Sequence, residues 1–336
     1  MHEGADRPTV AVVVRTKDRP RMLRRALASI TAQTFPSWEA VIVNDGGDPA
    51  TVDEVVSELP AEHRDRISVL HNPSATGRWP AANAGMQATS APYLVLHDDD
   101  DSWHPDFLAR TVAYLEANPD EVGVIARTEV ILEQFDDSGE IVETGRYVLE
   151  DHNPEVLATD LLQFNRFVPI GFLYRRSLHD RIGLYDASLP AAADWAFNMR
   201  AMLIHQIRYV DDQVLAYWHQ RPGVNGVAGN SVFAAPEDHD FANRAHRDRA
   251  LREFMAAHGT GLPLYLDAVF EAQRNAAEQS EQRVIAAVRE SNARFDELKS
   301  ALDALQRHLD RTVDARVRGW VWRRKSQLRG LGRGRS

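Results

Sequence analysis

The N-terminal half of the chain alternates short apolar segments with helical patterns. An apolar run rich in β-branched residues, Thr9–Val14, is followed by helical spacing of apolar residues from Met22 to Ile30. Because strands that alternate with helices form right-handed βαβ units, this half predicts a mostly parallel sheet flanked by helices. The further strands of this sheet are predicted at Trp38–Val43, Ile67–Leu70 and Tyr93–Leu96.

Polar clusters follow three of these strands. They are Thr16–Arg19, Asn44–Asp48 and Asp98–Asp101. In open parallel sheets ligands bind outside the carboxyl ends of the strands, so the three clusters are expected to converge on one crevice. The four adjacent carboxylates of the third cluster repel one another, and Mg²⁺ or Mn²⁺, which prefer oxygen ligands, would relieve that repulsion. A solvated acidic turn is the alternative.

The second half is less regular. Val124–Leu132 and Ile141–Val148 predict a hairpin. Ile207–Trp218 predicts two short strands broken at Asp211 and Asp212, and Arg221 to Pro236, rich in Gly and Asn, predicts a mobile loop.

Beyond residue 272 the apolar residues follow a heptad pattern. They alternate between a and d positions over about four heptads, with Ser291 the one interruption. This spacing predicts a coiled coil and a homo-oligomer formed through residues 284–309, although an amphipathic helix packed on the rest of the chain has the same period. The apolar positions are Val284, Val288, Phe295, Leu298, Leu302, Leu305 and Leu309.

Charge is unevenly distributed along the chain. The net charge of −10 argues against a general nucleic-acid binder, yet no acidic residue follows Asp314 while eight basic residues do. Trp320 and Trp322 lie in the same stretch. Aromatic residues mixed with cations are typical of segments that lie on an anionic membrane surface, and a disordered solubilising tail is the equal alternative.

Cysteine content and hydropathy indicate the cellular compartment in which we expect the protein. The chain has no cysteine, which suits a reducing cytosol. No apolar run reaches the ~18 residues of a membrane span, and Met1–Asp6 lacks the features of a signal peptide. We therefore expect a cytoplasmic protein, with peripheral contact at the inner face of the membrane as the open question that its basic end raises.

Three motifs together resemble the inverting family-2 glycosyltransferases of the GT-A fold, over about residues 8–220. They are Val12–Pro20, Ser29–Phe35 with Trp38–Gly47, and the acidic cluster with Ser102–Pro105. The resemblance implies a GT-A (Rossmann-like) α/β fold with a mixed, mostly parallel sheet, followed here by a C-terminal helical or coiled-coil extension. The expected domains are 8–220 (catalytic), 221–271 (loop and helices packing on it), 272–315 (coiled coil) and 316–336 (basic amphipathic or disordered tail).

The resemblance also implies residues for a nucleotide-sugar donor. Asp98 and Asp100 match the two acidic positions of the family's Asp-x-Asp motif, which holds Mn²⁺ or Mg²⁺, with Asp100 as the direct metal ligand and Asp98 nearer the donor's ribose. Asp99 belongs to the same motif and is expected in the donor pocket. His219 lies near a position where relatives place a further metal ligand. Asp45 matches the carboxylate that binds the N3–H of a pyrimidine, and Asn44 stands in place of the usual preceding Asp. Turn chemistry alone is the alternative explanation of Asn44-Asp45-Gly46. The remaining candidates for the donor pocket are Thr16, Asp18 and Arg78.

Inversion requires a base that deprotonates the acceptor hydroxyl. The resemblance places it at Asp194, where Ala193 replaces the family's usual Glu, and an Asp that caps a helix is the alternative. The predicted function is metal-dependent transfer of a sugar from a UDP- or TDP-sugar to a glycan, lipid-linked or natural-product acceptor, as in cell-envelope or polysaccharide biosynthesis. A non-catalytic nucleotide-sugar-binding scaffold is the alternative from another class. A nucleotidyltransferase is disfavoured because the loop after the first strand has no Gly.

Overall fold

The chain divides into two units, one ending at Leu251 and the other beginning at Arg252. The structure is a computed structural model. It describes residues 8–150, 155–189, 191–224, 226, 229–230 and 236–331, with side chains described except at 236–240 and 327–331.

A mixed sheet forms the centre of the first unit, and its strands in the described residues are β1 (Val10–Thr16), β2 (Trp38–Asp45), β3 (Ile67–Asn72), β4 (Tyr93–Asp98), β5 (Ser102–Trp103), β6 (Gly123–Phe135), β7 (Ile141–Val148), β8 (Phe172–Arg175) and β9 (Arg208–Gln220). They lie in the order β3-β2-β1-β4-β8-β6-β9-β5, with β7 paired to β6. The predicted strands of the first half and the predicted hairpin are confirmed.

Helices lie between and after these strands. In chain order they are α1 (Pro20–Thr31), α2 (Pro49–Ser57), α3 (Ala61–Arg64), α4 (Arg78–Gln87), α5 (Phe107–Ala117), α6 (Ala158–Gln163), α7 (Ser177–Ile182), α8 (Ala193–Met202), α9 (Pro236–His258) and α10 (Gly261–Leu331). A short 3₁₀ turn, Pro169–Gly171, precedes β8.

The parallel part of the sheet is β3-β2-β1-β4. Successive side chains of a strand point to opposite faces, and β1 accordingly contributes to two cores. Val12 and Val14 pack with Leu23 and Leu27 of α1, whereas Val13 packs on the other face with Trp79 of α4. Burial on both faces explains why this strand reads as a continuous apolar run.

The prediction of a mostly parallel sheet overstates its parallel content. Among the strand pairs of the described residues, β4–β8, β6–β8, β6–β7 and β5–β9 are antiparallel, which equals the number of parallel pairs. Each antiparallel pair includes at least one strand of the irregular second half, where no helical crossover separates the hairpin strands. The mixed α/β sheet itself is confirmed.

The prediction of two strands broken at Asp211 and Asp212 is wrong, since β9 runs through both residues. The pairing of β9 with β6 changes register beside them, opposite Ile125 and Arg127. Asp212 pairs with Arg127 at 3.5 Å and Asp211 pairs with Arg110, so neighbouring cations compensate the two carboxylates. The predicted loop from Arg221 to Pro236 falls partly outside the described residues.

In the second unit one helix, α10, runs from Gly261 to Leu331 and continues through the expected boundaries at 272 and 316. The apolar heptad residues between 284 and 309 are 52% to 73% exposed. Trp320 and Trp322 are exposed as well, and residues 332–336 of the basic tail lie outside the described residues. No described helix combines the length and apolarity needed to cross a bilayer.

Candidate functional site

The three polar clusters converge on one cavity of about 720 Å³ at the carboxyl ends of the parallel strands. The registers of β1 with β2 and β4 place Thr16 beside Asn44 and Arg15 beside Asp98. The predicted convergence is therefore confirmed, while the roles of the residues stay predictions. The candidate residues that line the cavity are Thr16, Asp18, Asp45, Arg78, Asp98, Asp100 and Asp194.

Asp45 is held as an anion at the end of β2. Its Oδ1 accepts hydrogen bonds from Asn72 Nδ2 (2.8 Å) and from the Thr76 amide (2.8 Å) and hydroxyl (2.7 Å). Its Oδ2 accepts one from the Gly77 amide at 2.9 Å. Burial works to raise the pKa of Asp45, but these hydrogen bonds outweigh burial and lower it.

Asn44, the departure from the family pattern, closes the turn after β2. Its fully buried side chain accepts from the Gly47 amide at 3.0 Å and donates to the Gly47 carbonyl at 2.9 Å. Gly46 adopts a φ of +77°, and a Cβ there would lie 2.3 Å from the Ala75 amide nitrogen. Turn chemistry thus accounts for Asn44, whereas Asp45 points to the cavity.

Asp18 lies at the cavity rim. Its backbone is in the left-handed region at a φ of 54°, and its Oδ1 accepts from the Asp48 amide at 3.1 Å. This hydrogen bond joins the loops that follow β1 and β2. Asp18 therefore shapes the rim and, being exposed, also remains reachable by a ligand.

Asp98 and Asp100 each use one carboxylate oxygen to bind guanidinium groups. Asp98 Oδ1 accepts from Arg15 Nε at 2.9 Å and from its Nη2. Asp100 Oδ2 accepts from Arg19 Nη1 at 3.2 Å and also from Arg221 Nη2. The other oxygens, Asp98 Oδ2 and Asp100 Oδ1, receive no hydrogen bond from the part of the chain that the structure describes.

Asp99, expected in the donor pocket, is fully buried and is absent from the cavity lining. Thr16 Oγ1 donates to its Oδ2 at 2.7 Å, and Arg19 binds both of its oxygens. Burial raises the pKa of Asp99 to about 7, against the opposing charge of Arg19 and with the help of Asp100. In this geometry Asp99 fastens the acidic turn to the loop after β1.

His219 uses both ring nitrogens in hydrogen bonds within the protein. Its Nδ1 lies 2.6 Å from Glu133 Oε1 and its Nε2 lies 2.7 Å from Ser102 Oγ. Its backbone amide donates to Asp101 at 3.0 Å. Burial lowers the pKa of His219, although Glu133 raises it. His219 therefore orients the turn of the acidic cluster and presents neither ring nitrogen to a metal.

Asp98 Oδ2 and Asp100 Oδ1, the oxygens that receive no hydrogen bond from a described residue, fit a divalent cation of the kind that the family resemblance implies. Both residues line the cavity, and hard cations bind through carboxylate oxygens. Among the described residues no three His, Asp or Glu side chains are grouped to hold a metal by themselves. Such an ion would complete its shell with water and donor phosphates, as Mg²⁺ commonly does.

Arg78 lies at the N-terminus of α4 with its guanidinium facing the charges of Asp98 and Asp194. It makes no side-chain hydrogen bond or ion pair within the described ranges. Burial, and then the nearby charge of Arg15, lower the pKa of Arg78. Arg15 meanwhile donates to the Arg78 carbonyl at 3.1 Å and stacks over Trp79. This arrangement provides a cation for an anionic ligand in the cavity.

Asp194 lies in the first turn of α8 and lines the cavity. The helix cap is Ala192, at a left-handed φ of 61°, so Asp194 does not serve as the N-cap residue. Its Oδ2 instead accepts a hydrogen bond from Asn165 Nδ2 at 2.9 Å. The fully buried Ala193 leaves the carboxylate without the acidic neighbour that the family usually has.

A buried network that no sequence pattern predicted lies behind the acidic cluster. Arg221 is fully buried and bridges Asp100 to Glu133, while Arg25 binds Glu133 at 2.6 Å. Asn230 Nδ2 also donates to Asp100 Oδ2 at 3.0 Å. These partners are 88 to 130 residues apart along the chain, and no local pattern marks them.

Residues 11–183 match Glycosyl transferase family 2. The Uncharacterized glycosyltransferase YwdF of Bacillus subtilis is 29% identical over 219 residues, which cover 64% of this chain and 76% of that protein. The Uncharacterized glycosyltransferase alr2836 of Nostoc sp. is 25% identical over 278 residues, covering 81% and 84%. The crystal structure of S. aureus TarS 1–349 in complex with UDP-GlcNAc gives a TM-score of 0.48 at 19% identity, covering 64% of this chain and 60% of that chain.

The family match spans more than half of the 336 residues; it runs from Ala11 in β1 to Gly183 after α7 and includes the acidic cluster. The mixed sheet with flanking helices resembles the GT-A fold that the sequence predicted. The chain therefore belongs to Glycosyl transferase family 2, a family of glycosyltransferases.

Proposed function

We propose that the protein is a metal-dependent, inverting glycosyltransferase that transfers a sugar, as a hexosyl group, from a UDP- or TDP-sugar to a hydroxyl acceptor. The observation that carries the proposal is that one cavity joins an anionic Asp45, two carboxylates with free oxygens, a cation and the carboxylate of Asp194. Asp45 suits the nucleobase, the two carboxylates suit the metal, the cation suits the diphosphate, and Asp194 suits the acceptor of such a reaction.

Recognition of the nucleotide is assigned to Asp45. Its Oδ2 accepts a single backbone amide, whereas Oδ1 accepts three donors, so Oδ2 has room for the N3–H of a pyrimidine. The four hydrogen bonds keep the carboxylate ionised and oriented before a ligand arrives. Thr16 and Asp18 complete this side of the cavity.

Stabilisation of the leaving group is assigned to Asp98, Asp100 and Arg78. A divalent ion held by the two carboxylates would supply positive charge to the donor's diphosphate as the glycosidic bond breaks. Arg78 places a further cation in the cavity beside Asp98. Because the Arg78 side chain makes no hydrogen bond or ion pair with a described residue, binding a diphosphate costs it no existing ion pair.

The base is assigned to Asp194. Its carboxylate takes the proton of the acceptor hydroxyl as the acceptor oxygen forms a bond to the anomeric carbon. The bond from that carbon to the diphosphate oxygen breaks, and its electron pair leaves with the nucleoside diphosphate. Attack from the face opposite the leaving group inverts the anomeric configuration.

Association with other molecules is proposed for the second unit. The heptad residues of α10 are more than half exposed, so a second copy of the chain would bury them through residues 284–309. The exposed Trp320 and Trp322 among basic residues favour peripheral contact with an anionic membrane, which suits a lipid-linked acceptor. The acceptor itself is proposed as a glycan, a lipid-linked saccharide or a natural product.

A screen of UDP- and TDP-sugars tests the function. We expect a Mn²⁺- or Mg²⁺-dependent rise in melting temperature with one donor, and slow release of its nucleoside diphosphate with water as the acceptor. Proton NMR of the released sugar should show the inverted anomer first. Release of the retained anomer, or equal release with EDTA, would contradict the proposed mechanism.

A further inference from the structure

The segment that precedes the 3₁₀ turn, residues 161–167, is hydrogen-bonded to α8 at two points. The indole nitrogen of Trp195 donates to the Leu161 carbonyl at 2.6 Å, and Asn198 Nδ2 donates to the Phe167 carbonyl at 3.1 Å. Trp195 and Asn198 are both buried and both lie on α8. They therefore hold the two ends of this segment against the helix that carries Asp194.

Asn165 lies between the two fastening points and links them to the carboxylate. Its Oδ1 accepts from Asn198 Nδ2 at 2.9 Å, and its Nδ2 donates to Asp194 Oδ2 at 2.9 Å. A backbone carbonyl only accepts, so Asn198 must turn its amide nitrogen toward Phe167. Asn165 then has to offer its oxygen to Asn198 and its nitrogen to Asp194.

The direction of this chain of hydrogen bonds selects one protonation state of Asp194 Oδ2. An ionised oxygen accepts from Asn165, and hydrogen bonding to the charged form of a carboxyl favours that form. A protonated Oδ2 would need the Asn165 oxygen, and turning that amide would bring its nitrogen against the nitrogen of Asn198. The unprotonated carboxylate is the form that a general base requires.

We propose that Asn165, locked by Asn198, is a positioning residue that keeps Asp194 oriented and ionised for proton abstraction. The inference rests on the proposed role of Asp194 as the base. It assigns a part in the reaction to two amides that the sequence analysis did not single out. Neither amide is proposed to contact the donor or the acceptor.

The test compares Asn165→Ala, Asn198→Ala and Asn165→Asp in the full chain. The matched control is Asn118→Ala, because Asn118 is also an amide residue and caps the C-terminus of α5. We measure UDP affinity by calorimetry, and kcat against pH for hydrolysis of the donor that the screen identifies. For Asn165→Ala we expect an unchanged UDP affinity, a kcat about tenfold lower and an acid limb about one pH unit higher. Asn198→Ala should shift the limb less, and Asn165→Asp more, because a second carboxylate then faces Asp194.

A wild-type kcat and an unmoved acid limb in Asn165→Ala, with only a lower melting temperature, would make the residue structural and overturn the inference. Asp194→Asn measured in parallel separates this outcome from failure of the proposed function. Normal turnover in Asp194→Asn removes the base assignment and the inference together. An inactive Asp194→Asn beside a wild-type-like Asn165→Ala removes the inference alone.

Discussion

The stability lost on replacing Glu133 by Gln should depend on pH in a defined way. Burial alone would raise the pKa of Glu133, but its hydrogen bond with His219 and the charge of Arg25 lower it from 4.5 to about 2. The side chain is only 6% exposed, so solvent screens these interactions little. The lowering of the pKa of Glu133 from 4.5 to about 2 corresponds to about 3 kcal/mol of folding free energy.

The sign follows from the lowered pKa in the folded state. The stabilisation by Glu133 is fully present above pH 4.5, its value when unfolded, and is lost as the pH falls toward about 2. Urea unfolding should therefore show Glu133→Gln about 3 kcal/mol less stable than the wild type at pH 7, and by less than half of that at pH 3. Glu116→Gln, at an exposed position on α5, serves as the control and should change stability little. A difference that is constant between pH 7 and pH 3 would refute the reasoning.

Three further predictions concern the metal, the oligomer and the membrane. Asp100→Ala should remove the dependence of UDP binding on Mn²⁺ in calorimetry, and unchanged metal-dependent binding would exclude Asp100 as a ligand. Replacing Leu298 and Leu305 by Ala should lower the oligomeric state in light scattering, since truncating two d-position leucines costs several kcal/mol in a packed seam; an unchanged mass would refute a seam there. The full chain should co-sediment with anionic but not with neutral liposomes, and removing the residues after Asp314 should abolish this co-sedimentation. Equal sedimentation of both forms would exclude electrostatic docking.

Local patterns in the sequence predicted the sheet and the positions of the cavity residues. Val12, Val13 and Val14 give β1 apolar side chains on both faces, because both faces of the strand are buried. The strand could therefore be predicted without knowledge of any long-range contact. The cavity residues follow strand ends, and chain order in a βαβ fold places strand ends together. Asp45 and Asp98 could be located for this reason.

Side-chain partners that lie far apart in the chain were not predictable. Arg221 looked like a loop residue, yet it is fully buried because Asp100 and Glu133 neutralise it. Asp99 differs from its neighbours only in the direction that its side chain takes in the turn, which no pattern encodes. The proposed role of Asn165 likewise depends on its hydrogen bond to Asp194 of α8, which lies 29 residues further along the chain.

The turnover of Asp194→Asn tests the central claim most directly. The substitution keeps the size of the side chain and removes its capacity to take a proton. We expect UDP affinity near that of the wild type together with a kcat lower by roughly 10²–10⁴-fold, as for loss of a general base. A kcat close to the wild-type value with intact UDP binding would contradict the assignment of Asp194 and, with it, the proposed inverting mechanism.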